Sequence, residues 1–534
     1  MPAVPWHRNA LIYSLAVETF MDGNGDGIGD FAGLRQRLDY LESLGVDAVW
    51  LGPSQPSPNR DDGYDVADYY GIDPRLGTSG DFADFMNEAD ERGIRVLMDL
   101  VVNHTSNTHP WFRDASGRRD SPFRDWYIWS DKRPRNFRSG IVFPGVQKTT
   151  WSFARGARAW YFHRFFSFQP DLNSANPDVR EEIKRIVAYW LRLGAAGFRI
   201  DAVPFLIEKP GPGQRRQPPH FEYLHELRKT VQWLRGDAVL LGEANITPRD
   251  DDEYFSDGDG LHMIFNFWVN QHLFLALATG DARPLRDSLR ATANIPPDSV
   301  WAHFLRNHDE LDLGRLSVAE RRCVFDAFGP EASMQLYQRG IRRRVAPMLG
   351  DRQRMELAYS LLFALPGAPV LRYGEEIGMG ENLRLRERNA VRTPMQWSPE
   401  RNGGFSDAER LVRPATSGGP FGYENVNVED QLRDPSSFLR WMIGMIRVRH
   451  QAPEVGAGNW RTLPVRSPSV LALEYDLDGS RLITLHNLDG QPRDVSLSTD
   501  RRLLSLFDDQ TSNGRNGTHR IRLEPFGYRW YRLR

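Results

Sequence analysis

The chain has 534 residues, of which 40% are hydrophobic and 26% charged, and its formal net charge is −2. This balance is ordinary for a globular protein and gives no reason to expect nucleic acid or a membrane surface as a partner. The length predicts two or three domains. The single cysteine, Cys323, excludes an internal disulfide framework. The first residues lack a charged start followed by an apolar core, so we expect no signal peptide and a cytoplasmic protein.

The first predicted strand, within residues 10–20, leads into the acidic loop 22–30, DGNGDGIGD. This loop spaces its oxygen atoms like the first nine positions of a helix-loop-helix calcium site. The twelfth position, however, is Gly33, where such a site needs a bidentate Glu. Because a strand and not a helix precedes the loop, a calcium sensor is excluded. Two interpretations stay open, a single bound ion or an Asp/Asn/Gly turn without metal.

Apolar, β-branched segments alternate with amphipathic helical segments along most of the chain. The pattern predicts an α/β fold, a (β/α)8 TIM barrel whose parallel strands are joined by helices. The long connection 105–170 predicts a subdomain inserted after strand 3, and the alternation beyond residue 456 predicts an all-β C-terminal sandwich domain. The expected strands lie within 11–17, 46–53, 94–104, 197–203, 238–245, 261–267, 300–309 and 369–378. The expected domains are 1–104 and 171–455 for the barrel, 105–170 for the inserted subdomain and 456–534 for the sandwich.

Three carboxylates follow barrel strands at their C-terminal ends, where active sites of such barrels lie: Asp201, Glu243 and Asp309. They could simply be solvated there, but carboxylates gathered at neighbouring strand ends suit glycoside hydrolysis. That reaction needs a nucleophile and an acid/base about 5 Å apart if the anomeric configuration is retained. Arg199 lies two residues before Asp201 and shares its face of the strand, so its charge is expected to keep Asp201 ionised. Glu243 would need a raised pKa to act as the acid.

The segments DLVVNH, GFRIDAV, GEAN and FLRNHD resemble, in order and spacing, the four signature regions of glycoside hydrolase family 13, the α-amylase family. The resemblance implies that Asp201 is the nucleophile, Glu243 the acid/base and Asp309 the transition-state stabiliser. It implies further sugar contacts from His104, Arg199, Asn245 and His308. It also implies that Asp61, Tyr64 and Arg392 close the subsite of the attacked glucose, with Arg392 paired to Asp61.

The same resemblance implies structural calcium and no organic cofactor. The ligands implied for the acidic loop are Asp22, Asn24, Asp26 and Asp30, with the carbonyl of Ile28. A second calcium site is implied where the barrel meets the insertion. Its ligands would be the side chains of Asn103, Asp171 and Glu208 and the carbonyls of Phe205 and Leu206.

Within the family, segments such as NHTSNTHPWF and VRTPMQWSPERNGGFS resemble the trehalose synthase group, which interconverts maltose and trehalose. The sequence differs from that group at two positions of a gate, a Glu and its partner arginine that are expected to close the pocket and keep the freed glucose inside. Gly314 stands where that group has a Glu, and Gly140 and Ile141 stand where its partner arginine is expected. The gate is therefore either open or closed by another part of the insertion, such as Arg133–Arg138.

Three functions follow from these resemblances. The first is a trehalose synthase-like enzyme, the second an α-glucosidase or transglucosidase on the same sugars, and the third a non-catalytic carbohydrate-binding protein. The expected partners are small α-glucosides such as maltose and trehalose, with no nucleic acid and no membrane. A homo-oligomer is left open.

Overall fold

The computed structural model describes residues 4–208, 219–508 and 510–534. Its strands in chain order are β1 (Ile12–Leu15), β2 (Ala48–Leu51), β3 (Arg95–Leu100), β4 (Trp129–Ser130), β5 (Trp151–Ala154), β6 (Ala159–Phe162), β7 (Gly197–Ile200), β8 (Val239–Gly242), β9 (Met263–Phe265), β10 (Val300–Phe304), β11 (Leu311–Asp312), β12 (Gln335–Leu336), β13 (Gly340–Ile341), β14 (Ala368–Arg372), β15 (Asn459–Thr462), β16 (Val470–Leu477), β17 (Ser480–Asn487), β18 (Arg493–Ser498), β19 (Leu503–Ser505), β20 (Thr511–Ser512), β21 (Thr518–Leu523) and β22 (Tyr528–Leu533).

The α-helices are α1 (Phe31–Arg35), α2 (Leu38–Leu44), α3 (Ser79–Glu91), α4 (Pro110–Gly117), α5 (Pro177–Arg192), α6 (Val203–Ile207), α7 (Glu222–Leu234), α8 (Asp251–Phe255), α9 (Phe267–Thr279), α10 (Arg283–Ala291), α11 (Val318–Phe328), α12 (Val345–Leu349), α13 (Arg352–Ala364), α14 (Val428–Arg433), α15 (Phe438–His450) and α16 (Glu454–Ala457). No helix of the described residues is long and apolar enough to cross a membrane.

A closed barrel of eight parallel strands forms the centre of the molecule, in the order β1-β2-β3-β7-β8-β9-β10-β14 with β14 back beside β1. Each expected strand segment overlaps one of these strands, so the predicted (β/α)8 barrel is confirmed. The strands are short and buried on both faces because side chains fill the barrel interior while the helices cover its outside. Ile12, Trp50, Leu97, Leu241 and Val300 belong to the interior cluster.

Amphipathic helices cover the outside of the barrel with an apolar face. In α5 the buried residues Val179, Ile183, Val187 and Trp190 recur at helical spacing. A capping box between Thr78 and Asp81 begins α3, because the Thr78 side chain accepts from the Asp81 N–H and the Asp81 side chain accepts from the Thr78 N–H. Of the barrel helices, α3, α7 and α9 each contact the strand that follows them, which are β3, β8 and β10.

The residues between β3 and α5 form a three-stranded antiparallel sheet, β4-β6-β5, with α4 beside it. This insertion lies at the C-terminal ends of the barrel strands, as the bridge between His104 and Asp171 shows. A second small sheet, β11-β13-β12, lies in the loop after β10. Both additions therefore stand at the end of the barrel where the candidate catalytic residues gather.

The C-terminal part is all β, as predicted. A six-stranded sheet, β15-β16-β17-β22-β19-β20, faces the two-stranded sheet β18-β21. Alternate residues of both sheets, among them Val470, Leu485, Leu497, Ile521 and Leu523, form one buried apolar cluster between them.

Candidate active site

Arg199, on β7, is the centre of the charged cluster at the C-terminal end of the barrel. Its side chain is 1% exposed, and its Nη1 lies 2.8 Å from Asp99 and 2.7 Å from Asp201. Its Nη2 lies 2.6 Å from Glu243. One planar guanidinium thus fixes both predicted reacting carboxylates in a common geometry, as the fixed fork of an arginine allows.

The backbone after Asp201 turns sharply. Ala202 has a φ of 49°, a left-handed conformation that is uncommon for a residue with a side chain. The turn presents the Ala202 N–H to Glu243 Oε2 at 3.2 Å. This hydrogen bond therefore joins the backbone directly after Asp201 to the Glu243 carboxylate.

Burial and charge set the protonation states of this pair. Burial, opposed by Arg199, raises the pKa of Asp201 to about 6. Burial and the charges of Asp201 and Asp309, again opposed by Arg199, raise the pKa of Glu243 to about 7. The charge of Arg199 was expected to keep Asp201 ionised, and it does lower the pKa of Asp201, but desolvation outweighs it. At neutral pH Asp201 is still mostly ionised, while Glu243 holds a proton part of the time.

Asp309 has the opposite environment. Burial would raise its pKa, but the charges of Arg388 and Arg392 hold the pKa of Asp309 far below its ordinary value. Arg388 Nη1 lies 2.9 Å and Arg392 Nη2 2.8 Å from Asp309 Oδ1. Asp309 is therefore a permanent negative charge beside the other two carboxylates.

Tyr64 and His308 connect these groups. The Tyr64 hydroxyl donates to Asp99 at 3.0 Å and lies 2.9 Å from His308 Nε2, and the two rings stack 5.3 Å apart. Burial lowers the pKa of His308 well below its ordinary value, so the ring is neutral. Since the tyrosine proton points to Asp99, His308 Nε2 carries the proton that the Tyr64 oxygen accepts. His104 lies beside them, with Nε2 2.8 Å from the Tyr64 carbonyl.

The expected pairing of Arg392 with Asp61 is wrong. Arg392 and Arg413 both form ion pairs with Asp62, the next residue. Asp61 instead accepts a hydrogen bond of 3.0 Å from Gln169 Nε2. Asp61 lines the cavity that also contains the three carboxylates, and its contact with sugar stays a prediction. The ion pairs with Arg392 and Arg413 belong to Asp62.

A cavity of about 470 Å³ opens over the cluster. Its walls come from the barrel, the insertion and the loop after β10, and they include every predicted catalytic and sugar-contact residue except Arg199 and Arg392. Asn245 lies on its wall and accepts from Arg315 Nε at 3.2 Å. Other wall residues are Val142, Phe143, Phe165, Glu310, Asp312, Arg339 and Arg388.

The acidic loop is closed by its own hydrogen bonds. Asp22 accepts from the N–H groups of Asn24, Gly25 and Gly27 at 2.7 to 3.1 Å, and from Ser406 Oγ at 2.5 Å. Asp30 accepts from the Gly33 N–H at 2.6 Å and so caps α1. Asn24 and Asp26 are exposed. The donor set is all oxygen, which suits Ca²⁺, although no three His, Cys, Asp or Glu side chains of the described residues converge on a metal position.

The residues of the second implied calcium site lie where the insertion meets the barrel. Asp171 Oδ1 accepts from the Arg164 N–H at 2.8 Å, and the Leu206 carbonyl accepts from Ser174 Oγ at 2.7 Å. Asn103 Nδ2 lies 3.2 Å from His104 Nδ1. Phe205 lies on α6 and Glu208 directly after it, and both are on the cavity wall. Both calcium sites stay predictions.

Sequence reasoning missed several residues of the cluster. Asp99 had a signal, because a carboxylate inside the apolar segment 94–102 needs a partner. Asp62, Gln169 and Arg388 had none, because their roles depend on which loops meet above the barrel. Arg133 and Arg138, named as candidate gate residues, contact the Phe137 ring and are absent from the cavity wall described here.

The family model described as alpha amylase, catalytic domain, matches residues 14–322 and 340–458, and the model of the sucrose hydrolase-like C-terminal domain matches 479–532. The trehalose synthase of Thermus thermophilus is 42% identical over 538 residues, which cover 99% of this chain and 56% of that protein. The chain thus spans little more than half of that relative.

Two further relatives extend the comparison. The trehalose synthase/amylase TreS of Mycobacterium tuberculosis (strain CDC 1551 / Oshkosh) is 42% identical over 508 residues, covering 93% of this chain and 84% of that protein. Among solved structures, a mutant of MutB in complex with its substrate sucrose superposes with a TM-score of 0.80 at 25% identity, covering all of both chains.

Proposed function

Because the chain belongs to the alpha-amylase family, we propose that it is a retaining enzyme that interconverts maltose and trehalose through a glucosyl group carried on Asp201. The observation that carries the proposal is the Arg199 clamp, which holds Asp201 at 2.7 Å and Glu243 at 2.6 Å. The relatives named trehalose synthase support the choice of sugars.

In the first step an Asp201 oxygen attacks the anomeric carbon of the non-reducing glucose of maltose. The bond from that carbon to the bridging oxygen breaks, and Glu243 gives its proton to the leaving oxygen. An ester between glucose and Asp201 remains beside free glucose. Asp309, fixed as an anion by Arg388 and Arg392, stabilises the positive charge that develops on the sugar ring.

In the second step the freed glucose turns so that its own anomeric hydroxyl faces the ester. Glu243, now a carboxylate, takes the hydroxyl proton while the oxygen attacks the anomeric carbon, and Asp201 leaves as a carboxylate. The product is trehalose, with the anomeric configuration of the transferred glucose retained. A cavity of about 470 Å³ lies within the range of small-ligand sites, about 300–1,000 Å³.

Hydrolysis or transglucosylation of the same small α-glucosides is the second candidate function. It is favoured by Gly314, which gives the cavity rim no carboxylate at the position where the resemblance expects one. In that case water, or another sugar, takes the place of the retained glucose in the second step. A non-catalytic carbohydrate-binding role has less support, since all three carboxylates of the cluster are present.

Calcium belongs to the proposal as a structural ion. Asp22, Asn24, Asp26, Asp30 and the Ile28 carbonyl would hold it, and it would fix the loop between β1 and α1 without taking part in the reaction. The support is the all-oxygen donor set of the loop and the exposure of Asn24 and Asp26.

Incubation with maltose and, separately, with trehalose tests the reaction. The proposal expects each sugar to yield the other, with glucose as a minor product at early times. If both sugars yield only glucose, the proposed function is hydrolysis and not isomerisation. No turnover of either, from a folded protein that binds maltose, would leave the binding role.

A further inference from the structure

Arg339 lies at the rim of the cavity, at the end of the turn between β12 and β13. The turn is unusual because Tyr337 and Gln338, neither of them glycine, have φ values of 53° and 62°. Non-glycine residues in the left-handed region cost free energy and persist where surrounding contacts fix them. Here the Leu313 N–H donates to the Arg339 carbonyl at 2.8 Å, which anchors the turn to the end of β11.

The Arg339 side chain joins the loop after β10 to the insertion. Its Nε lies 3.1 Å from Asp312 Oδ2, and its Nη1 donates to the carbonyl of Val142, in the insertion, at 2.9 Å. Glu310 lies further off, at 3.8 Å from Nη2. The side chains of Arg339 and Asp312 are 23% and 19% exposed, so the contact is partly shielded from solvent and stands on the cavity wall.

Gly314 makes room for this contact. A Cβ on Gly314 would lie 2.9 Å from Asp312 Oδ1 and 3.2 Å from Arg339 Cδ. The Gly314 N–H donates to Asp312 Oδ1 at 2.6 Å and so fixes the carboxylate that receives Arg339. A glutamate at position 314 and the Asp312–Arg339 pair would therefore compete for the same space.

Aromatic rings reinforce the same junction. The Tyr337 ring lies 4.9 Å from Phe143 of the insertion, and the Arg388 guanidinium lies 4.7 Å over Phe143. Arg339 ends the segment 323–339 that the alpha-amylase family model leaves unmatched. The junction is thus built from residues outside the four signature regions.

We propose that Arg339, held by Asp312, keeps the insertion closed over the cavity and thereby sets the ratio of glucosyl transfer to hydrolysis. The inference rests on the proposed function, in which the ester on Asp201 is broken by either of two oxygens. The anomeric hydroxyl of the retained glucose gives trehalose, and water gives a second glucose. In both cases the attacking oxygen passes its proton to Glu243. Arg339 is a positioning residue that touches neither reacting atom, and it acts by excluding water and holding glucose.

The test compares Arg339→Ala with the wild type and with Arg322→Ala as a matched control. Arg322 lies on α11 in the same loop, and its exposed side chain pairs with Asp326 at 3.3 Å. It is not on the cavity wall. The initial ratio of glucose to trehalose formed from maltose is measured with the thermal unfolding midpoint. Loss of the charge-assisted contacts should raise this ratio about tenfold in Arg339→Ala. The ratio of Arg322→Ala should equal that of the wild type.

Further variants separate the outcomes. Asp312→Ala should raise the ratio similarly, and the double variant should exceed neither single variant by much, because one contact is lost in all three. If Arg339→Ala does not fold, Arg339→Gln carries the same test. An unchanged ratio in a folded variant, beside a wild type that makes trehalose, overturns this inference alone. A wild type that makes no trehalose overturns the proposed isomerisation and this inference together.

Discussion

Asp99 and Arg199 form a fully buried ion pair, 2.8 Å long, directly below the two carboxylates that Arg199 also binds. Asp99 is not on the cavity wall, so it acts on the reaction only through Arg199, Tyr64 and its own charge. Removal of one of the three carboxylates that face this buried arginine leaves its charge less compensated and weakens the hold on its position.

Asp99→Asn should lower kcat by about tenfold to a hundredfold, the effect of losing one hydrogen bond to a charged group. The charge of Asp99 also raises the pKa of Asp201. Without that charge Asp201 should ionise at lower pH, and the acid limb of the rate profile should move down. Full pH profiles of the variant and the wild type check both effects. A lower kcat with an unmoved acid limb would mean that Asp99 only supports the fold.

Asp201→Asn should reduce turnover of maltose by at least about 10⁴-fold, because an amide cannot form the glucosyl ester. Asp237→Asn is the matched control, since Asp237 precedes the opposite end of β8 and pairs with Arg235. Both proteins should unfold at the wild-type temperature to within a few degrees. Wild-type turnover by a purified Asp201→Asn protein would remove Asp201 as the nucleophile.

The activity should depend on pH in a narrow bell. The reaction needs ionised Asp201 and protonated Glu243, with pKa values raised to about 6 and about 7. Activity is therefore lost below the first value as Asp201 gains a proton, and above the second as Glu243 loses one. The two limbs of kcat/KM against pH report the pair rather than single residues. An acid limb at 3.8, the ordinary pKa of aspartate, would contradict the claim that burial outweighs Arg199 in setting the pKa of Asp201.

The neighbouring residues Asp61 and Asp62 should respond differently to alanine. Asp62→Ala leaves Arg392 and Arg413 facing each other without their shared carboxylate. It should lower the free energy of unfolding by about 3 kcal/mol, seen as a lower thermal midpoint. Asp61→Ala should leave that midpoint unchanged and raise KM, because Asp61 lines the cavity. Equal thermal midpoints for the two variants would show that Asp62 is not the structural partner of Arg392 and Arg413.

Chelation should lower the thermal midpoint by a few degrees if the acidic loop binds calcium, since an ion bound only by the folded state stabilises it. Asp26→Ala tests the position of the ion. Asp26 is exposed and accepts one hydrogen bond, from the Ile28 N–H at 2.8 Å, so its loss alone should be small. The variant should no longer respond to added calcium or chelator. A wild type indifferent to both would identify the loop as a turn without metal.

The sequence by itself determined the barrel and the reacting groups. Hydrophobic periodicity marks the eight strands, and in a parallel barrel the residue that ends each strand must lie at one rim. The positions of Asp201 and Glu243, each directly after a barrel strand, follow from that rule, as does the common face of Arg199 and Asp201. Asp309 lies further out, in the loop after β10, which ends at Phe304.

Only the tertiary structure decided which loop residues meet above that rim. The choice of Asp62 rather than Asp61 as the partner of Arg392 depends on how the turn of residues 61–64 is held by Gln169, far along the chain. Arg339 and Val142 are 197 residues apart in sequence. No local pattern predicts their contact, because it arises from the packing of an irregular insertion against an irregular loop. The sequence places the reacting carboxylates at strand ends, whereas the closure of the cavity over them depends on contacts that form only in the folded chain.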